Sequence, residues 1–361
     1  MMKRSFLRVL FCCMAVLLVS GCTTFSARQP KFERVFCWGV ANSEENTRKY
    51  AEIGVTDIMV ITQKHYDLAV KYGMTPYRGT FTPAGPYPQV ISKEEAEYKD
   101  YISGKDLDKK LPKEERAKIT TQRRLEKGYR YGGEPDNGAM NVMTFDTPCF
   151  NSDKNYALSK KKIDELLATA IPGVKGIFFD GIGYTNQHGC YCEKCLRDYK
   201  KYIADNKLPD TQASKDLFYR ELLVNYFNAM IDYVKEKRPD FKVVAHYWPV
   251  FQPDPLFANR TKVDYCGQTV AWYFQWPLDK VAKYTKYVLK HEKKYHANSE
   301  GIAFVGLNAS QGKALAYKSP EQLEAELKVI LAVGGRTLMV CNGADMIKPG
   351  YYEVFRKYCR P

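Results

Sequence analysis

Residues 174–195 read VKGIFFDGIGYTNQHGCYCEKC. The first six positions are apolar except for Lys175, and the run closes on Asp180. A short apolar run without polar alternation, bounded by glycine, reads as a strand covered on both faces. After Asp180 comes a glycine-rich loop with three cysteines spaced C-x-C-x-x-C. A helical stretch then covers about 193–205. A strand, a loop rich in reactive groups and a helix make one β/α unit, so the number of such units in the chain decides the fold.

Seven more units can be counted. Apolar strands are expected at 34–41 (RVFCWGVA), 57–62 (DIMVIT), 75–81 (TPYRGTF), 241–248 (FKVVAHYW), 263–270 (VDYCGQTV), 301–308 (GIAFVGLN) and 337–344 (TLMVCNGA). Helical stretches separate them. The first is expected to start at Asn42 as N-cap, with Glu45 as its reciprocal partner. Others lie at 159–170, 214–237, 277–294, 320–332 and 350–358. Eight apolar strands alternating with helices predict an α/β fold, a closed (β/α)8 TIM barrel, better than an open sheet with a polar edge strand. The rhythm breaks once, at residues 82–140. This insertion after strand 3 is charged and helix-prone at first and loop-like at its end. Its basic residues (Arg116, Lys118, Arg123, Arg124, Lys127, Arg130) suit an acidic sugar or a plain solvated arm. No glycine-rich nucleotide-binding pattern follows any strand.

The beginning of the chain is of another kind. Residues 1–21 carry Lys3, Arg4 and Arg8, then an apolar run shorter than the ~20 residues of a membrane span, then Val19-Ser20-Gly21 before Cys22. This resembles the lipobox of bacterial lipoproteins. The resemblance implies a signal peptide over 1–21, lipidation of Cys22, a tether over 22–31 and a barrel domain over 32–361. It also implies a place in the bacterial cell envelope, at the outer membrane or cell surface, anchored to the membrane through lipid. The net charge of +14 suits an acidic polysaccharide or an anionic surface, and a lysine-rich solvated surface explains it equally. Export and the lack of any nucleic-acid motif argue against a nucleic-acid partner.

In such a barrel the reacting groups sit at the C-terminal ends of the strands. That rule selects Trp38 and Asn42, Arg78, Asp180, the run His246-Tyr247-Trp248, Gln268 with Trp272, Tyr273 and Trp276, Asn308, Asn342 and Asp345. Rings stack on sugar faces and amides bind hydroxyls, so a carbohydrate substrate is the expectation. Trp38, Arg78, Tyr247, Trp248, Gln268, Trp272, Asn308 and Asn342 are the candidate substrate-binding residues. Asp180 is the leading catalytic candidate, because a carboxylate closing so apolar a strand is costly unless it faces the mouth or is paired. Glycoside hydrolysis generally uses two carboxyl groups about 5–10 Å apart. Asp254, Asp345, Glu134 and Asp136 are candidates for the second, and His246 for an unusual acid/base.

Cys190, Cys192 and Cys195 supply three ligands of a tetrahedral zinc site. The fourth could be His188 or a distant cysteine. Cys149, in the loop leading to the helix before strand 4, is within reach in a barrel. A disulfide with spare thiols is the alternative in an oxidising compartment.

The segments TPCFNSDKNY (147–156) and CYCEKCLRDYKKYI (190–203) resemble the family-42 glycoside hydrolases, the β-galactosidases, and several hypothetical glycosyl hydrolase barrels. The resemblance spans about residues 146–200. It implies a structural zinc held by Cys149, Cys190, Cys192 and Cys195. The family's catalytic glutamates have no counterpart here. Where the family ends strand 4 with Asn-Glu, this chain has Asp180-Gly181, and strand 7 ends Val305-Gly306-Leu307-Asn308 without a carboxylate. The implied relative is a cousin barrel with different chemistry. Aspartate at the end of strand 4 is similar to the nucleophile position of several α-glycosidase barrels. Two readings remain open: a glycoside hydrolase acting on a poly- or oligosaccharide through Asp180 as nucleophile or acid/base, and a non-catalytic glycan-binding lipoprotein on a degenerate barrel.

Overall fold

The computed structural model describes residues 30–40, 42–126, 142–247, 260–272, 276–295, 299–309 and 317–360. The expected signal peptide, Cys22 and the expected tether up to residue 29 lie outside these, as do Glu134, Asp136, Trp248, Asp254 and Tyr273. Residues 31–361 form one compact unit.

Eight parallel strands close into a barrel in sequence order. They are β1 (Arg34–Val40), β2 (Asp57–Val60), β3 (Thr75–Phe81), β4 (Gly176–Ile182), β5 (Lys242–Tyr247), β6 (Tyr265–Ala271), β7 (Glu300–Gly306) and β8 (Thr337–Cys341). Each of the eight expected strands is present. The flanking helices are α1 (Glu44–Glu52), α2 (Gln63–Lys71), α3 (Lys93–Ser103), α4 (Lys113–Glu126), α5 (Asp153–Ala168), α6 (Glu193–Asp205), α7 (Gln212–Lys237), α8 (Leu278–Tyr295), α9 (Pro320–Ala332) and α10 (Tyr351–Tyr358). The N-cap of α1 is Ser43, not Asn42: the Ser43 hydroxyl accepts from the Asn46 N–H. Helix α5 begins six residues before the expected 159, where Ser152 caps it. No described helix is long and apolar enough to cross a membrane.

The strands are buried on both faces, which is why their sequences do not alternate with polar residues. Outward side chains pack under the helices around Ile58, Ile177, Phe179, Val243 and Val305. Inward side chains fill the barrel: Phe36, Met59, Tyr77, Phe178, Val244, Ile302, Phe304 and Met339. The floor is polar but satisfied. Arg34 grips Asp57 through Nε and Nη2 at 2.8 and 2.6 Å and also donates to the Tyr77 and Tyr265 hydroxyls. With the floor and middle filled, only the upper rim, at the C-terminal ends of the strands, is open to carry chemistry.

Between β3 and α5 the described part of the insertion carries α3 and α4. Its base is joined to the barrel loops through Gln89. The Gln89 amide donates to Asn186 Oδ1 at 2.7 Å and to the Gly189 carbonyl, while its oxygen accepts from the Thr185 N–H and the Thr147 hydroxyl. Glu95, also buried, accepts from Asn186 Nδ2 at 3.1 Å. Each group in this network has a partner, so burial costs little there.

Candidate active site

Phe178 faces into the barrel, and the strand period of two puts Asp180 on the same side. Just there the β4–β5 register shifts, between Phe179 and Ile182. Gly181 takes φ +70°, and a Cβ at that position would meet only ordinary contacts. The glycine is required by backbone conformation, not by space. Where the resembling family keeps its glutamate, this chain has a left-handed turn that an ordinary side chain enters only with strain. The resulting bulge sets Asp180 at the rim, with 31% of its side chain exposed.

Behind Asp180 stands His246 of β5, 6% exposed, with Nδ1 at 3.1 Å from Asp180 Oδ1. The other ring nitrogen lies 3.3 Å from the Thr269 hydroxyl of β6, which donates to the Tyr247 carbonyl at 2.7 Å. The Gly181 N–H donates to the same Asp180 oxygen at 2.7 Å. Burial pushes the Asp180 carboxyl up. The hydrogen bond and charge of His246, with the Gly181 N–H, outweigh burial and hold the carboxyl below its usual range. Aromatic rings enclose the imidazole. Phe304 stacks on it with centroids 3.7 Å apart, Trp272 stacks at 5.6 Å, and Trp38 meets it edge-on at 5.7 Å. Trp38 and Trp272 are partly exposed, as rings offered to a ligand must be.

The rim brings together Asp180, His246, Trp38 and Trp272, while four of the other candidates lie away from it. Arg78 points outward and donates to the Thr169 hydroxyl at the end of α5. Tyr247 is fully buried under the helices, with its hydroxyl on Thr261. Gln268 is buried one position out of phase with the inward Gly267 and Thr269. Trp276 packs on Tyr284 beneath Lys280 of α8. Asp345 is 4% exposed and ties two loops, accepting from the Ala309 N–H at 3.1 Å and pairing with Lys348. The exposed Asn342 caps the short turn 343–345 through the Ala344 N–H. The half-buried Asn308 accepts from the Lys318 N–H. Among the described residues, Asp180 is the one carboxylate at an inward position at the C-terminal end of a strand. Thr269 and Phe304 were missed; counting inward positions along β6 and β7 by twos would have found both.

A second cluster lies in the adjoining loops. The sulfurs of Cys149, Cys190, Cys192 and Cys195 lie within 4.8 Å of one another. Cys149 Sγ is 3.9 Å from Cys192 Sγ and 3.6 Å from Cys195 Sγ. Four sulfurs around one zinc at ~2.3 Å would stand about 3.8 Å apart, so the cluster fits a tetrahedral metal. All eight described cysteines are free, and His188 is exposed and outside the cluster. Cys192 is the N-cap residue of α6, and Cys149 lies three residues before the N-cap of α5. Hydrogen bonds from Cys149 and Cys195 drive the Cys190 thiol down to about 2, while those two thiols are pushed up. The Val90 N–H points at Cys190 Sγ, 3.4 Å away, and so joins the insertion to the cluster.

A closed eight-stranded barrel with its polar groups at the C-terminal rim is a fold that the chain shares with solved structures. The chain is similar to the PgaB (BpsB) glycoside hydrolase domain from Bordetella bronchiseptica, with a TM-score of 0.53 and 10% identity over 92% of this chain and 100% of that one. It is also similar to a β-galactosidase from the haloarchaeon Halorubrum lacusprofundi, with a TM-score of 0.54 and 12% identity over 90% of this chain and 57% of that one. A third is α-L-fucosidase isoenzyme 2 from Paenibacillus thiaminolyticus, with a TM-score of 0.50 and 14% identity over 91% of this chain and 48% of that one. The chain spans about half the length of the galactosidase and the fucosidase. At these identities the likeness is one of fold. No protein-family model matches the sequence, and neither does any curated protein.

Proposed function

We propose that this protein is a glycoside hydrolase acting on an oligo- or polysaccharide, with Asp180 as its nucleophile. The observation that carries the reading is the placement of Asp180: inward, at the rim, part-exposed and held ionised by His246. An ionised carboxylate attacks the anomeric carbon as the glycosidic C–O bond breaks and the leaving oxygen is protonated; water then hydrolyses the glycosyl ester and frees the carboxylate. Trp38 and Trp272 would stack on the sugar. The fold is shared with a fucosidase, a galactosidase and the PgaB glycoside hydrolase domain, which supports a carbohydrate substrate. Protonation of the leaving group needs a second acid. Asp345, the candidate among the described residues, is occupied between two loops, so the acid is sought among Asp254, Glu134 and Asp136, which lie outside the described residues.

Zinc is the metal that four thiolates suit best. With all four positions filled by sulfur it has no place for a substrate water, so its role would be structural. The lipobox-like start, with Cys22 as lipid anchor, places the enzyme on the bacterial cell envelope in this reading.

A glycan-binding role is the rival, favoured by the lack of a second inward carboxylate among the described residues. The test is hydrolysis of a broad panel of aryl glycosides and polysaccharides. Turnover of at least one substrate, lost in Asp180→Asn, is expected. Binding without turnover across the panel would establish the rival.

A further inference from the structure

The hydrogen bonds around His246 constrain where its protons lie. The Thr269 hydroxyl has one proton, and the Tyr247 carbonyl, 2.7 Å away, is an acceptor only. Once that proton is given to the carbonyl, the Thr269 oxygen can only accept. His246 Nε2, 3.3 Å away, must then be the donor. Among the described residues, the remaining groups that face the ring are Asp180 and the rings of Trp38, Trp272 and Phe304. None of the three rings competes for Nε2 as an acceptor of comparable strength.

We infer that Thr269 is a positioning residue that fixes His246 with a proton on Nε2, leaving Nδ1 as the ring atom that exchanges a proton with Asp180. The pair then holds one mobile proton between Nδ1 and Asp180 Oδ1. With the proton on Nδ1, Asp180 is a carboxylate and the ring carries both protons. With the proton on Oδ1, Asp180 is a neutral acid and the ring a neutral imidazole, still protonated at Nε2. The transfer needs no other reactant. Its bearing on turnover rests on the reading of Asp180 as nucleophile, whereas the placement of the protons does not.

Nitrogen-15 NMR of the full chain tests this without any substrate. The sequence has five histidines, and the His246 signals are those missing from His246→Gln. In the wild type at neutral pH, Nε2 is expected at the frequency of a protonated ring nitrogen. In Thr269→Val, which removes the acceptor, Nε2 should shift toward the unprotonated frequency with the proton kept on Nδ1 facing Asp180. Thr269→Ser should restore the wild-type spectrum. A wild-type ring unprotonated at Nε2 would overturn the inference, as would an unchanged Nε2 in a folded Thr269→Val. Should the valine variant not fold, the wild-type measurement decides alone.

Discussion

Asp180→Asn is expected to lower kcat/KM by roughly 10⁴-fold while leaving the fold and sugar binding nearly intact, an effect of the size seen when a nucleophile is lost. Asparagine keeps the shape, and its side-chain oxygen can still accept from the Gly181 N–H, whose bond to Asp180 is 2.7 Å. What disappears is the charge that attacks. The same residue sets the acid side of the pH profile. The folded-state pKa of Asp180 is depressed. Its contribution to stability is therefore fully present above the unfolded aspartate value near ~3.9 and is lost as pH falls through the depressed value. The nucleophile stays ionised over the same range, so the acid limb it causes should lie below the ordinary aspartate value. Melting curves compared with the pH–rate profile of wild type and Asp180→Asn check both statements. A variant that keeps a tenth or more of wild-type turnover would remove Asp180 from the chemistry.

The second large effect concerns the cysteine cluster. Purified protein is expected to contain about one zinc per chain. Cys149→Ser should lose it, with the melting temperature falling by on the order of 10 °C. The sulfurs join three segments: the Cys149 loop before α5, the β4–α6 loop, and through Val90 the base of the insertion. Without metal these segments should open first, read as faster amide exchange and proteolysis around residues 87–90 and 147–149. Metal-free protein with unchanged stability and an unaffected Cys149→Ser variant would show the thiols to be a plain reduced cluster. Loss of turnover with stability intact would instead give the metal a catalytic part.

The eight strands were legible because burial on both faces leaves runs such as GIFF and KVVA with almost no polar residue. The pairing of Asp180 with His246 was half legible. Both end strands adjacent in a barrel, and the β4–β5 register brings them together. The direction of the other side chains was not legible, because choosing residues at strand ends ignores the alternation between barrel and helix faces. That is how Tyr247 and Gln268 came to be expected at the rim. Register shifts complicate even a correct count. The one between Thr269 and Ala271 precedes Trp272, whose ring stacks over His246, although a strict period of two from Tyr265 would turn it outward. The four-cysteine cluster was foreseen from spacing, loop neighbourhood and resemblance together. Gln89 and Glu95 were not, since a buried polar network has no periodic pattern: its members come from distant segments and are matched only in the folded chain.

The central claim, that Asp180 forms a bond to sugar, is tested most directly by trapping. Once the panel identifies a substrate, the corresponding 2-deoxy-2-fluoro glycosyl fluoride slows hydrolysis of the covalent intermediate. Mass spectrometry of the treated protein should then show one added fluorosugar, mapped to the peptide containing Asp180 and absent from Asp180→Asn. Turnover with the adduct on another residue, or with none at Asp180, would contradict the account.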